Sequence, residues 1–297
     1  VIAPLRDQEG RWAFWLLLPA LFGIGFFTVI PTLGSFLLSF TSWDLLGAPQ
    51  WVGGANYQDL AQDPLFWRVL AQTGSFVLMY VALDAAIALA LALALNQKIR
   101  AVGLLRTAYF MPVVCSMVAG AILWSWIYDP RYGLLNAVLA AWHVAPVRWL
   151  TDSHWAMPAL VLVSVWKNLG YDMLLFLAGL QAVPSQQIEA ASLDGANAWQ
   201  RFRHVTLPLI APTLVMVGIM ATIRAFQTFD TVFLMTEGGP HRSTTIIGYW
   251  LFQNAFTYFK LGKAAALAYV LFAILVALSA LQWVLRRRVG HHEEVAA

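Results

Sequence analysis

Apolar residues run through this chain in long stretches, and polar residues gather in the short segments between them. A helix needs about 20 mostly apolar residues to cross a bilayer. Six runs reach that length, at roughly 13–40, 69–95, 103–127, 155–180, 208–235 and 264–285, and they predict six transmembrane helices. The first run is too long for the core of a signal peptide and more spans follow it, so it reads as a true first helix. The run AIALALALALN, 86–96, favours helix and suits lipid without marking a function. No repeat of about 20 to 50 residues and no low-complexity linker interrupts the pattern, so 1–297 reads as a single membrane domain.

Composition sharpens the class. Of the 297 residues, 60% are hydrophobic and 11% charged, and the mean hydropathy is +0.68. Soluble domains carry about 25% charged residues, so an all-α integral membrane protein is expected, in contact with lipid rather than nucleic acid. The single Cys115 excludes an intramolecular disulfide and a thiolate metal site, and the six histidines, His291 and His292 included, show no ligand spacing.

Basic residues orient the helices. With both termini in the cytoplasm, the inner segments hold ten: Arg6, Arg11, Lys98, Arg100, Arg106, Arg201, Arg203, Arg286, Arg287 and Arg288. The outer segments hold six: Arg68, Arg131, Arg148, Arg242, Lys260 and Lys263. Trp43, Trp51, Trp142 and Trp149 give the outer connections the look of a membrane interface.

Five ionisable residues fall inside the expected spans: Asp84, Lys167, Asp172, Arg224 and Asp230. Charges at that depth face a bundle interior or a wet cavity. Neither Lys167–Asp172 nor Arg224–Asp230 has the three- or four-residue spacing that lets neighbours on one helix bond, so partners must come from other helices or from a solute. Asn168, Gly170 and Tyr171 surround the charges of the fourth span, and Thr222, Gln227 and Thr228 those of the fifth. Two polar-studded helices suggest a path for something hydrophilic.

Between those helices lies IEAASLDGANAWQRFRHVTLPL, 188–209, on the cytoplasmic side. Ser185 reads as the N-cap of a short helix over 186–194 that ends at Gly195. Asn197 with Gln200 forms a capping box for a second short helix, and Pro208 falls in the first turn of the fifth span. Ala190, Ala191 and Gly195 leave one face bare, while Glu189 and Asp194 offer charge. The segment reads either as an ordinary interfacial loop or as a docking element for a cytoplasmic protein.

Its spacing closely resembles the EAA loop of ABC-importer permease subunits: E-A-A, three residues, G, then nine residues to I-x-L-P. Glu189, Ala190, Ala191, Gly195 and Leu207–Pro208 fill that pattern, with Val205 where isoleucine is usual. Further stretches are similar to the carbohydrate-uptake branch related to the maltose and glycerol-3-phosphate importers: GANYQDL at 54–60, LLRTAYFMPVV at 104–114, WSWIYDPRYGLLN at 124–136, WKNLGYDMLLFLAGLQAVP at 166–184 and FDTVFLMTEGGP at 229–240.

The resemblance implies a type I ABC-importer permease fold, with a coupling (EAA) loop at 184–207 between the fourth and fifth helices. It implies a bacterial or archaeal cytoplasmic membrane and three kinds of partner: a second homologous permease, two copies of a nucleotide-binding ATPase and an extracytoplasmic solute-binding protein. ATP and Mg would be bound by the ATPase. The chain has no G-x-x-x-x-G-K-[ST] loop of its own and needs no cofactor. Glu189, Ala190, Ala191, Asp194, Gly195 and Pro208 would couple to the ATPase.

The family's solute positions correspond to Leu169, Gly170, Met173, Ala221, Ala225 and Thr228, and several are smaller or more apolar here than in the maltose-type relative. The candidate path therefore keeps Gly170, Met173 and Thr228 and shifts toward polar neighbours: Asn168, Tyr171, Asp172, Arg224, Gln227 and Asp230. Asp172 and Arg224 also suit an ion pair that only holds the bundle; Asp230 suits a cap or a contact with the binding protein, Lys167 a snorkelling or paired group and Asp84 a structural one. A stand-alone channel or secondary transporter is the rival reading, and repeated halves with broken helices, common in secondary transporters, are not apparent. No G-x-S-x-G or H-E-x-x-H motif supports an enzyme.

Overall fold

The expected runs fold as helix, but two of the six are broken. The structure, a computed structural model, describes residues 3–97 and 100–290, with side chains over 12–97 and 100–284. Lys98, His291 and His292 lie outside the described residues, as do the side chains of Arg6, Arg11, Arg286, Arg287 and Arg288. The chain opens with α1 (Ala3–Ile24), a π turn (Gly25–Val29) and α2 (Ile30–Leu38), then strands β1 (Thr41–Ser42) and β2 (Gln50–Trp51), α3 (Ala55–Gln62) and α4 (Pro64–Leu95). It continues through α5 (Val102–Val114), α6 (Met117–Ile127), α7 (Leu134–Ala141), α8 (Ala156–Gln181), α9 (Ser185–Leu193) and α10 (Ala198–Arg201). After a π segment (Phe202–Thr206) come α11 (Leu207–Leu209), α12 (Ala211–Phe226), α13 (Asp230–Met235), α14 (Ile247–Phe252), a last π turn (Gln253–Thr257) and α15 (Leu261–Gly290).

Four stretches are long and apolar enough to cross a membrane unbroken: Trp12–Leu38, Pro64–Leu95, Ala156–Gln181 and Leu261–Val284. The third expected span, 103–127, is instead α5 and α6, bent by 101° at Cys115 and Ser116. Both residues are extended, with ψ of 147° and 136°, and Pro112 already removes one donor from the last turn of α5.

The fifth run, expected over 208–235, breaks twice. Helical backbone runs through Ala198–Leu209, bends by 68°, resumes as α12 and stops again at Gln227–Phe229 before α13. Pro212 lacks the N–H that a continuous helix would send to the Pro208 carbonyl, so the break falls at Ile210. Pro212, not Pro208, therefore occupies the first turn of α12. Pro208 closes the preceding helix; it cannot donate four residues back, and Leu207 N–H bonds the Phe202 carbonyl five back.

Contacts group the chain into two units, Val1–Asp63 with Leu251–Val270, and Pro64–Trp250 with Leu271–Ala297. In the first, β1 and β2 pair antiparallel, with Thr41 opposite Trp51. The GANYQDL stretch explains itself here. Asn56 Nδ2 donates to the Ser39 and Thr41 carbonyls, both at 2.9 Å, and Tyr57 Oη donates to Ser39 Oγ at 2.7 Å. Asn56 thereby serves the carbonyl of Ser39, which caps the end of α2, and that of Thr41 in β1. Leu261 N–H bonds the Trp43 carbonyl at 3.0 Å, and the Tyr269 hydroxyl donates to the Thr32 carbonyl.

In the second unit, α4 buries one stripe: Val69, Thr73, Phe76, Tyr80, Asp84, Ala88 and Ala92, at intervals of three or four residues. Phe76 and Tyr80 pack with Leu160, Val161, Ala221, Ala225 and Val232 in one apolar cluster. Ala88 and Ala92 pack with Met173, Phe176, Leu177 and Val217 in another. The AIALALALALN run thus supplies small residues where α4 meets α8. Outside the helices, Asp129 Oδ1 accepts from the N–H groups of Arg131 at 2.8 Å and Tyr132 at 2.9 Å, which holds its carboxyl below the usual range. Of the four expected interface tryptophans, Trp51 and Trp142 are exposed, whereas Trp149 packs on Tyr128 and donates to Asn136 Oδ1 at 3.2 Å.

Asn56→Ala should lower stability by about 1–3 kcal/mol, because two carbonyls lose their donor. A fall in the melting temperature of the detergent-purified chain checks this; an unchanged value would mean those carbonyls are served otherwise.

Candidate functional site

The breaks and the intramembrane charges belong together. Lys167, on α8, donates from Nζ to the carbonyls of Pro112 at 2.7 Å, Val113 at 2.9 Å and Cys115 at 2.6 Å. Those are the oxygens that the end of α5 leaves without helical partners. A cation at a helix C-terminus also suits the dipole. One turn along, Gly170 lets the two backbones touch: a Cβ there would lie 2.2 Å from the Tyr109 carbonyl oxygen and 2.7 Å from Phe110 Cα. Lys167 thus neither snorkels nor pairs with a carboxylate.

Asp172 has no exposure and its Oδ2 takes the Arg224 guanidinium in a salt bridge between α8 and α12. Arg224 also lies over the ring of Tyr171, 5.3 Å from the centroid. Each partner adjoins a cluster along its helix: Ala225 of the first follows Arg224, and Met173 of the second follows Asp172.

On the other side of Arg224 a cavity of about 210 Å³ opens, lined by Met117, Ser164, Lys167, Asn168, Arg224, Gln227, Thr228, Asp230 and Thr231. Two helix breaks feed it: Met117 begins α6, and Gln227 and Thr228 bridge α12 and α13. Irregular backbone at membrane depth is tolerated where it lines such a cavity. Asp230 stands in the first turn of α13 and its Oδ1 accepts the Thr231 N–H at 2.9 Å. Asn168 Nδ2 donates to the Ser164 carbonyl at 3.0 Å, leaving its Oδ1 for another group.

Of the expected path residues, the cavity gathers Asn168, Arg224, Gln227, Thr228 and Asp230. Tyr171 and Asp172 stand behind Arg224. Gly170 and Met173 do not line it: Gly170 is buried against α5, and Met173, like Ala221 and Ala225, is core. Met117, Ser164 and Thr231 were not expected. Ser164 lies four residues before Asn168, a spacing that signals a shared helix face; Met117 arrives only through the break.

The second candidate site is the loop. Pro184, extended at ψ 126°, is the N-cap residue of α9, and Ser185 is its first helical residue and makes no capping bond. Proline needs no donor there, which is why the start falls one residue earlier than expected. α9 ends as expected: Gly195 takes φ +79°, Gly195 N–H bonds Ser192 O at 3.2 Å and Ala196 N–H bonds Ala191 O at 3.0 Å. The capping box forms: Gln200 N–H to Asn197 Oδ1 at 2.9 Å, and Asn197 N–H to Gln200 Oε1 at 2.8 Å. Glu189, Ala190 and Asp194 are exposed, and so are the apolar Leu193 and Trp199, at 90% and 64%.

The family model of the binding-protein-dependent transport system inner membrane component matches residues 85–291. The chain belongs to this family. The permease is 39% identical over 274 residues to the probable ABC transporter permease protein YesP of Bacillus subtilis, covering 91% of this chain and 87% of the relative. It is 35% identical to the trehalose/maltose transport system permease protein MalF of Thermococcus litoralis, over 87% of this chain and 86% of that one. It is 34% identical to the lactose transport system permease protein LacF of Rhizobium radiobacter, over 91% and 92%. Its fold is similar to a chain of a bacterial ABC transporter crystal structure involved in alginate import, with a TM-score of 0.82, 22% identity and coverage of 96% of this chain and 98% of that one. The permease is thus an integral membrane transport subunit, not an enzyme.

Replacing Lys167 by methionine should leave the three carbonyls open at once. A loss of at least about 2 kcal/mol follows if each costs near the low end of an unmade bond. Thermal unfolding of the purified permease measures it, and a stability equal to wild type would remove Lys167 from that role.

Proposed function

We propose that the permease forms half of a translocation path for a sugar or related polyhydroxy solute. Counting each bent pair as one crossing gives six spans, with both termini cytoplasmic. The observation that carries this reading is the cavity where two broken helices meet. It offers a guanidinium, two amides, three hydroxyls and a carboxylate in a small space, and hydroxyl-rich solutes are held by such groups. The relatives named for trehalose/maltose and lactose transport support the same class. With Arg224 neutralised by Asp172 and Lys167 engaged by carbonyls, a neutral solute fits best.

Glu189, Ala190, Ala191, Asp194, Gly195 and Pro208 belong to the coupling loop. α9 gives a cytoplasmic ATPase an exposed helix with a bare alanine face, and the left-handed Gly195 turns the chain back toward α12. Two copies of that ATPase bind ATP and Mg, a second homologous permease completes the path, and an extracytoplasmic binding protein delivers the solute. A related crystal structure contains a bacterial alginate ABC transporter in complex with a pentasaccharide-bound periplasmic protein.

The test is reconstitution in lipid discs with partner permease, ATPase and binding-protein candidates, reading ATP hydrolysis across a sugar panel. Stimulation by one loaded binding protein is expected; an ATPase that never associates or responds sinks the reading. Glu189→Lys and Gly195→Pro should each cut solute-stimulated hydrolysis by about tenfold, roughly 1.4 kcal/mol, with the permease still inserted. Gln227→Ala should weaken solute-dependent transport by a similar factor at normal complex yield. Asp172→Ala should abolish it, and a fall in yield alone would mark Asp172 as structural.

A further inference from the structure

Asp84 is used by nothing described so far. It stands on the buried stripe of α4, four residues after Tyr80 and four before Ala88, with no exposure, and neither carboxyl oxygen has a hydrogen-bond partner. Tyr80 Oη and Asp172 Oδ1 are likewise buried and unpartnered. Three elements meet around it, and the titratable groups they present are Tyr80 from α4, Asp172 from α8 and Arg224 from α12.

Charge counting is unforgiving here. If both aspartates were ionised, two negative charges would face one guanidinium. Lys167, the other cation at this depth, is held by three carbonyls of α5. A buried surplus charge is resolved by neutralisation or by moving water in. Arg224 bonds Asp172 directly, so Asp172 is the natural anion and Asp84 the natural acid. A hydrogen on Asp84 would be a donor beside Asp172, whose Oδ1 has no other partner, and one proton would then satisfy an orphan on each side.

We propose that Asp84 is a positioning residue for the solute cavity, a neutral carboxyl that donates a hydrogen bond to Asp172 and so fixes the Asp172–Arg224 pair at the cavity wall. Ionised, Asp84 would compete with Asp172 for the guanidinium and draw it away from Asn168 and Gln227. The role in transport rests on the solute-cavity reading above; the protonation state does not.

Two measurements on the assembled complex in lipid separate them. Infrared spectra of wild type and Asp84→Asn at neutral pH should differ by a protonated-carboxyl C=O band, present in wild type and absent in the variant. Absence of that band from wild type overturns the proposal whatever transport does. Asp84→Asn, which keeps a donor of the same shape, should transport with an apparent solute affinity within about twofold of wild type, whereas Asp84→Leu should lose at least about tenfold. As pH rises, wild-type transport should fall together with the band while Asp84→Asn stays flat. Asp84→Asn failing like Asp84→Leu, or Asp84→Leu transporting normally, overturns the positioning role. If the band behaves as expected but no form of the complex responds to any solute, the cavity reading fails instead.

Discussion

Lipid offers no hydrogen bond to an open backbone group, and that constraint decides where this chain can bend. A helix that stops within the membrane strands carbonyls on one side and N–H groups on the other. The permease stops helices at Cys115–Ser116 and at Gln227–Phe229, and each interruption is served. Lys167 collects three carbonyls at the first. At the second, Gln227 N–H bonds Ile223 O at 3.1 Å, Thr228 N–H bonds Ala225 O at 3.3 Å, and Thr228 Oγ1 bonds Arg224 O at 3.1 Å. Side chains from both interruptions, Met117 at the first and Gln227 and Thr228 at the second, line the one cavity.

The charges do different work despite similar depth. Lys167 is a backbone cap, the Asp172–Arg224 salt bridge ties α8 to α12, and Asp230 opens α13. Arg224 closes the buried pair on one side and walls the cavity on the other. Removing one member of a buried pair costs about 3–5 kcal/mol, so the stability of the α8–α12 contact and the shape of the cavity wall are drawn from the same residue. An altered Arg224 would disturb both at once, whereas Gln227 lines the cavity without entering the buried pair.

Much of this could be read from the sequence, and the limits have physical causes. Hydropathy located the helices because a bilayer demands long apolar runs, and Gly195, Asn197 and Gln200 announced their turn and cap because those residues carry local geometry. The breaks were hidden because both interrupted runs stay apolar enough on average to read as single spans: Pro112 and Pro212 hint at bends, but only the partner on α8 fixes where α5 stops. The same gap misplaced Pro208 and kept Met117 out of the expected site. Spacing correctly denied an intrahelical bond between Lys167 and Asp172, yet it had no means of naming α5 carbonyls for one and Arg224 for the other. The positions taken over by resemblance fared unevenly, with Thr228 at the cavity and Met173, Ala221 and Ala225 in the core.

The contact between α5 and α8 has a mechanical consequence. At Gly170 the two backbones meet with no side chain between them, and one turn away Lys167 binds the loose end of α5. A joint gripped at two levels has no slack, so the last turns of α5 and the middle of α8 behave as one strut. A displacement of α8 at this level would carry the last turns of α5 with it, and with them the part of the cavity wall that Lys167 and Asn168 supply.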